Sequence, residues 1–273
     1  MTLTIHPDLM QGTEEWLAAR RGIVTASIVG NLITTSRLSA ADYDCPTCGG
    51  AANLPCLSKS AKTPTAIKTF HSARAEVARR SKSPIVFETA SNDISRSLTL
   101  LLASERITGW TEQTFMNAAM ERGVADEPIA RDIYSEHYTP VTQVGFMVED
   151  KWGYPIGYSP DGLVGETGLI EIKSRAPKAQ LATVLAGHPP AETMAQLQCG
   201  LLVSGREWLD YISFAGGMPM YVKRVYPDQR WFEAIVNAVR AFEENAREMI
   251  AIYQDSVAGL QPTERTFDLD IVV

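Results

Sequence analysis

The chain has 273 residues, 45% of them hydrophobic and 21% charged, with a formal net charge of −7. That length suits one domain of roughly 200–250 residues with an insertion, or two small domains. The acidity argues against a general nucleic-acid coat but leaves a nuclease open, because metal-binding acids make a site negative until cations load.

No apolar run reaches the ~20 residues that a bilayer needs. The opening MTLTIHPDLMQG lacks the basic and apolar regions of a signal peptide. A soluble, cytoplasmic protein with no membrane partner is expected.

In chain order, EEWLAARRG predicts a short amphipathic helix stopped by Gly22. TASIVGNLITT predicts a second helix with Thr25 as N-cap. Free N–H groups and the helix dipole at TAS would then face a phosphate, and Arg20 or Arg21 would add a charge-assisted fork. From Ser39 to about Pro84 the texture changes to Cys, Gly, Pro, Ser, Thr and Lys, closing on the basic helix FHSARAEVARR. This predicts a small inserted module over 40–85, with 1–39 and 86–273 forming the core. SNDISRSLTLLLASERITG predicts a helix with an Asn or Asp start and a Gly stop. TFMNAAMERGVADEPIARDIYSEHY predicts another, bent near Gly123 or Pro128.

Strand-like VTQVGFMVE, YPIGYS and GLIEIKS follow, then a linker and the helix AETMAQLQCGLLVSG, stopped by Gly205. WLDYISFAG and MYVKRVYP read as a β pair, and DQRWFEAIVNAVRAFEENAREMIAIY as a long amphipathic helix. The order gives an α/β fold with a central mixed sheet flanked by helices.

The charged residues of GYSPDGLVGETGLIEIKSR need a reason to sit among apolar strands. Glu171 and Lys173 are two apart, so they share a face, and Ile170 and Ile172 take the other. Register decides whether Asp161 reaches Glu171. A ladder centred between Glu166 and Thr167 sends Asp161 to the wrong face, whereas one centred on Glu166 sets it opposite Glu171. Pro160 and Gly162 also make a bend cheap, so an irregular strand is expected at Asp161. Two carboxylates together repel unless a divalent cation lies between them, and oxygen ligands point to Mg²⁺ or Mn²⁺. With a lysine beside the cation, this is a kit for phosphodiester hydrolysis. A solvated surface hairpin is the plainer alternative, because the D…ExK pattern is short and common.

Four segments in sequence resemble the YqaJ-type viral recombinase family, the family of phage lambda exonuclease, within the PD-(D/E)xK nuclease superfamily. They are QGTEEWLAARRGIVTAS, ERGVADEPIARDIY, SPDGLVGETGLIEIKS and MAQLQ. The resemblance implies a restriction-endonuclease-like core. It implies a metal and catalytic site of Glu127, Asp161, Glu171 and Lys173, with the Ile172 carbonyl as a further ligand and Gln196 beside the lysine. Gln198 is about 200° further round a helix and so unsuited to the same site. From its residues alone, Glu127 also reads as the cap of a helix with Pro128 at its first position.

The resemblance assigns Arg20 and Ser27 to a pocket for the 5′-phosphate of a DNA end. It implies a 5′-to-3′ exonuclease acting on double-stranded DNA ends, a trimeric ring and a single-strand annealing protein as partner. An inactive zinc-containing DNA-binding adaptor and a structure-selective endonuclease are the alternatives.

Three of the four cysteines cluster as Cys45-x₂-Cys48 and Cys56, followed by His71. Three thiolates and an imidazole satisfy tetrahedral Zn²⁺, and a segment with little apolar content needs the metal to fold. The module resembles small zinc modules of the CPxCG…C…HxxR type. Its Lys59, Lys62, Lys68, Arg74, Arg79 and Arg80 suit contact with a DNA backbone, or alternatively a merely solubilising surface. Cys199, on an apolar helix face, reads as buried and inert.

Overall fold

The structure, a computed structural model, describes residues 3–58, 63–81, 85–112 and 115–264. In chain order its elements are β1 (Thr4–His6), α1 (Glu14–Arg20), β2 (Val24–Thr25), β3 (Ile33–Arg37), α2 (Ser72–Arg80), β4 (Ile85–Thr89), α3 (Asp93–Thr108), α4 (Ala118–His137) and β5 (Val141–Thr142). They continue with β6 (Phe146–Glu149), β7 (Ile156–Tyr158), β8 (Gly162–Val164), β9 (Gly168–Ser174), α5 (Pro177–Ala186), α6 (Met194–Ser204), β10 (Trp208–Phe214), β11 (Tyr221–Val225) and α7 (Gln229–Ser256). Among these residues, no helix is long and apolar enough to cross a membrane.

The fold is α/β with a mixed sheet, as the element order predicts, but the strands divide into separate sheets. One has the order β11-β10-β9-β8-β5, the second β1-β6-β7-β2, and β3 pairs with β4 alone. VTQVGFMVE contributes β5 to the first and β6 to the second. The parallel pairing of β9 with β10 sets Glu171 opposite Tyr211 and Lys173 opposite Ser213.

Alternation along β9 sorts its side chains as a pleated strand must. Leu169 joins the main core with α3, α6 and α7, whereas Ile170 and Ile172 join a second cluster with Ala130 and Tyr134 of α4. Burying each isoleucine contributes about 1.5–3 kcal/mol, which fixes the register and with it the face that carries Glu171 and Lys173. Asp210 on β10 is also buried, but it is satisfied by Tyr134 Oη at 2.7 Å and by both arms of Arg224 at 2.8 Å.

TASIVGNLITT is not a helix. Val24 and Thr25 pair in parallel with Ile156 and Gly157, a 3₁₀ turn spans Val29–Leu32, and β3 follows. The β-branched run Ile33-Thr34-Thr35 finds a partner strand in β4, from Ile33↔Thr89 to Arg37↔Ile85. The phosphate site expected from a helix start at TAS therefore does not exist. The β3–β4 pair brackets residues 38–84 as a two-stranded stem. Phe87 of the stem packs edge-on to Trp231 of α7, with ring centroids 4.5 Å apart. The stem and α5 are elements that the sequence pattern did not show.

Candidate metal and nucleic-acid site

β8 and β9 pair as Gly162↔Ile170, Leu163↔Leu169 and Val164↔Gly168, a ladder centred on Glu166. This is the register that brings Asp161 toward Glu171. The chain is irregular at this point, as Pro160 and Gly162 lead one to expect: β7 ends at Tyr158 in one sheet and β8 begins at Gly162 in the other. Asp161 thus stands in the crossing. Its Oδ2 accepts the Ile172 N–H at 2.5 Å and its carbonyl accepts Arg131 Nε at 2.8 Å. The N–H and C=O of one strand residue point the same way, so the Ile172 carbonyl faces the same side, past the end of β8.

Glu171 is 2% exposed and is held by three donors. Lys173 Nζ lies 2.8 Å from its Oε1, Gln196 Nε2 lies 2.5 Å from the same oxygen, and Tyr158 Oη lies 3.2 Å from Oε2. Gln196 Oε1 in turn accepts from Lys173 Nζ at 3.0 Å. Bonded to two acceptor oxygens, the lysine is a charged donor. Burial pulls its pKa down, but Glu171 and Asp161 outweigh that and raise it. Gln198 points elsewhere, bonding Tyr226 O and Asp228 N at 2.9 Å each.

Glu127 is no cap. It sits inside α4, which starts at its cap Asn117 and runs through Pro128. It forms an ion pair with Arg131 one turn on. Burial, then repulsion from Glu171 and Glu127, holds the Asp161 carboxyl well above the usual carboxylate range, with Lys173 and the Ile172 N–H opposing. The three acids are thus close enough to feel one another, although Glu127 is turned to Arg131. Their donors are all oxygen and their charges crowd a buried place, which fits a hard divalent cation.

The Arg20 pocket opens two residues upstream of Asp161. The Arg20 guanidinium reaches Ser159 Oγ at 3.3 Å, Thr25 Oγ1 at 3.2 Å and Ser27 Oγ at 3.2 Å. It stacks 4.0 Å from the Trp16 ring, whose N–H also donates to Ser159 Oγ at 3.1 Å. Burial lowers its pKa to about 10, with Glu105 pulling the other way, so the charge persists at neutral pH. Among the described residues its side-chain hydrogen bonds go to hydroxyls, not to a carboxylate. A half-sunk guanidinium ringed by hydroxyls is a good anion receptor.

In the insertion, one ligand atom each from Cys45, Cys48, Cys56 and His71 lies within 4.8 Å of all the others. Cys45 Sγ is 3.4 Å from His71 Nδ1. Tetrahedral zinc with bonds near 2.3 Å spaces its sulfurs about 3.8 Å apart, so the set fits. The knuckle turns at Gly49, whose φ is +71°. Backbone N–H groups of Leu57 and Gly50 pull the Cys48 thiol down to about 6, favouring the thiolate.

Arg74 is not available to DNA. It is 0% exposed and donates to the carbonyls of Leu54, Ala41 and Ala51 at 2.8–3.0 Å and to Cys56 Sγ at 3.6 Å. Arg79 and Arg80 both pair with Glu76, whereas Lys68 is exposed. Lys59 and Lys62 lie outside the described residues. Cys199 is buried, and burial raises its thiol pKa.

The YqaJ-like viral recombinase domain matches residues 69–207, which include Glu127, Asp161, Glu171, Lys173 and Gln196. The chain belongs to that family. A phage zinc finger family described as DNA-binding matches residues 11–88 of the YqaJ-family chain, covering the Cys/His set and, of the Arg20 pocket, Trp16, Arg20, Thr25 and Ser27. Among solved structures, an alkaline exonuclease from Laribacter hongkongensis is 27% identical, covering 91% of this chain and 100% of its own, with a TM-score of 0.65. The same exonuclease in complex with dAMP is 28% identical over the same shares, with a TM-score of 0.63. No curated protein sequence matches the chain.

Sequence reasoning passed over several residues of this YqaJ-family site. Ser159 was legible, standing in the same SPDG run as Asp161. Tyr158 and Trp16 were not, because nothing local distinguishes them from strand and helix residues. Arg131 sits one turn after Glu127, a spacing that marks an ion pair but not its location.

Proposed function

We propose that this YqaJ-family protein is a divalent-cation-dependent nuclease that degrades double-stranded DNA from its ends, 5′ to 3′, for phage-type recombination. The observation that carries the reading is the meeting of Asp161, Glu171, Lys173 and Gln196 in one partly buried cluster, with Glu127 beside it. The fold and 27% identity shared with an alkaline exonuclease support the same chemistry.

Glu127, Asp161, Glu171 and the Ile172 carbonyl would hold Mg²⁺ or Mn²⁺, which supplies an activated water and offsets charge building on the phosphate. Lys173, a charged donor fixed by Gln196, orients the nucleophile and stabilises the developing anion. Arg20 and Ser27, with Thr25 and Ser159, take the 5′-phosphate of the DNA end. Because Ser159 and Asp161 are two residues apart, the end is held next to the bond that breaks. The zinc module adds grip on the duplex. A trimeric ring would keep the enzyme on its substrate, and the single strand would pass to an annealing protein in the host cytoplasm.

Linear and covalently closed circular duplexes incubated with Mg²⁺ test this reading, with Glu171→Ala as control. Linear DNA should disappear while circles persist, and the variant should leave both intact. Cutting of circles would make the protein an endonuclease, and no cutting with any divalent ion would make it an adaptor. Arg20→Ala should slow digestion of 5′-phosphorylated ends about 10–100-fold, the worth of a charge-assisted bond. Ends bearing a 5′-hydroxyl should be digested at an unchanged rate. Equal slowing of both would remove the phosphate from the pocket.

A further inference from the structure

We propose that Tyr158 is a positioning residue for the metal site: its hydroxyl sets the orientation of Glu171, and Gly200 is the opening in α6 that lets it do so. This rests on the reading of Glu171 as a metal ligand. Tyr158 is 1% exposed and ends β7, in the sheet opposite to the one that carries Glu171. Its hydroxyl crosses between the sheets to Glu171 Oε2 at 3.2 Å. Lys173 and Gln196 both bind the other oxygen, Oε1. Without the tyrosine, Oε2 has no protein donor among the described residues, and the carboxylate is free to swing about Oε1. With it, one lone-pair direction of Oε2 is taken and the other is left for the cation.

The helix above shows that the ring is placed rather than tolerated. A Cβ at residue 200 would stand 2.7 Å from Tyr158 Cζ and 3.0 Å from Cε1. Gly200 lies one turn beyond Gln196 on the same face of α6. The same stripe of α6 therefore carries one donor to Glu171 and makes room for another. A glycine inside a helix costs about 1 kcal/mol relative to alanine, so a packing requirement is the physical reason for it.

Removing a partner that orients a metal-binding carboxylate typically weakens metal affinity roughly 10–100-fold. Tyr158→Phe keeps the ring and deletes the hydroxyl. Mn²⁺ titrated into the full-length protein, followed by calorimetry and by the loss of the free-ion paramagnetic resonance signal, should bind roughly tenfold or more weakly to the variant. Gly200→Ala, which displaces the ring and keeps the hydroxyl, should shift in the same direction. In the nuclease assay the half-saturating Mg²⁺ concentration should rise, kcat should recover at saturating Mg²⁺, and KM for DNA should stay within about twofold, since no DNA contact is lost.

All titrations are run below each variant's melting transition, so a loss of stability does not register as a loss of affinity. Unchanged Mn²⁺ affinity in Tyr158→Phe, with the wild-type protein binding normally, overturns the proposal. So does a kcat that saturating Mg²⁺ does not restore. Failure of the wild-type protein to bind Mn²⁺ would instead overturn the nuclease reading beneath it.

Discussion

An Asp161→Asn variant is expected to hydrolyse linear duplex DNA about 10³-fold more slowly than the wild-type protein, and to melt no lower in the absence of metal. The loss follows from removing the charged oxygen that the proposed mechanism gives to the cation. The unimpaired stability follows from the electrostatics of the carboxylate cluster. Burial, and then repulsion from Glu171 and Glu127, holds the Asp161 carboxyl well above its ordinary 3.8. Asparagine keeps an oxygen for the Ile172 N–H and ends the repulsion.

The same shift fixes a pH dependence. Between 3.8 and the raised folded value, the folded chain retains a proton that the unfolded chain has given up. By linkage, this contribution to the stability of the metal-free protein is fully present below 3.8 and is lost as pH rises through the folded value. Thermal unfolding in chelator across a pH series should show that slope in the wild-type protein and a shallower one in the variant. Divalent affinity should rise with pH over the same window, since the ion displaces the proton. A variant that cuts at full rate would take Asp161 out of the reaction.

Cys45→Ser should abolish stoichiometric zinc and open the insertion to proteolysis while the core stays folded. Two of the three clustered thiols are buried, and the other large buried side chain of the module is an arginine bonded to carbonyls rather than an apolar anchor. Metal is therefore the expected main source of order, worth about 10–16 kcal/mol in small zinc-finger peptides. The core has independent support, since the stem is clamped through Phe87 and Trp231 and the main cluster does not include the cysteine set. Elemental analysis and limited proteolysis check this directly. Zinc-free wild-type protein with an intact insertion would show that the sulfurs serve another purpose. The expected functional consequence is weaker duplex affinity, more salt-sensitive in the wild-type protein than in the variant, with hydrolysis at saturating DNA preserved.

Arg74 shows how composition misleads. In the sequence it belongs to a run of basic residues, which suggests a DNA-facing surface. In the fold it closes the module from within, and its helix-mates Arg79 and Arg80 share Glu76. Charge sign is legible in a sequence, but which side of a small module a charge faces is not. The Arg20 pocket makes the complementary point. The expected helix start at TAS was wrong, because the β-branched residues after it found strands to pair with. Yet Arg20 and Ser27 still meet, and because β2 lies beside β7 Arg20 also reaches Ser159.

Local chemistry wrote several things directly into the chain. The alternation of β9 fixed that Glu171 and Lys173 share a face, and the Pro160–Gly162 bracket fixed that the strand must break at Asp161. The spacing of Cys45, Cys48, Cys56 and His71 likewise marked out a set of ligand atoms that the fold brings together. Each depends on residues a few bonds apart, where backbone geometry leaves few choices. Tertiary structure alone decided that Glu127 comes from mid-helix, that Tyr158 reaches Glu171 from another sheet, and that Gly200 lets it pass. Those contacts join segments tens of residues apart, and only the burial of a shared core brings such segments to one place.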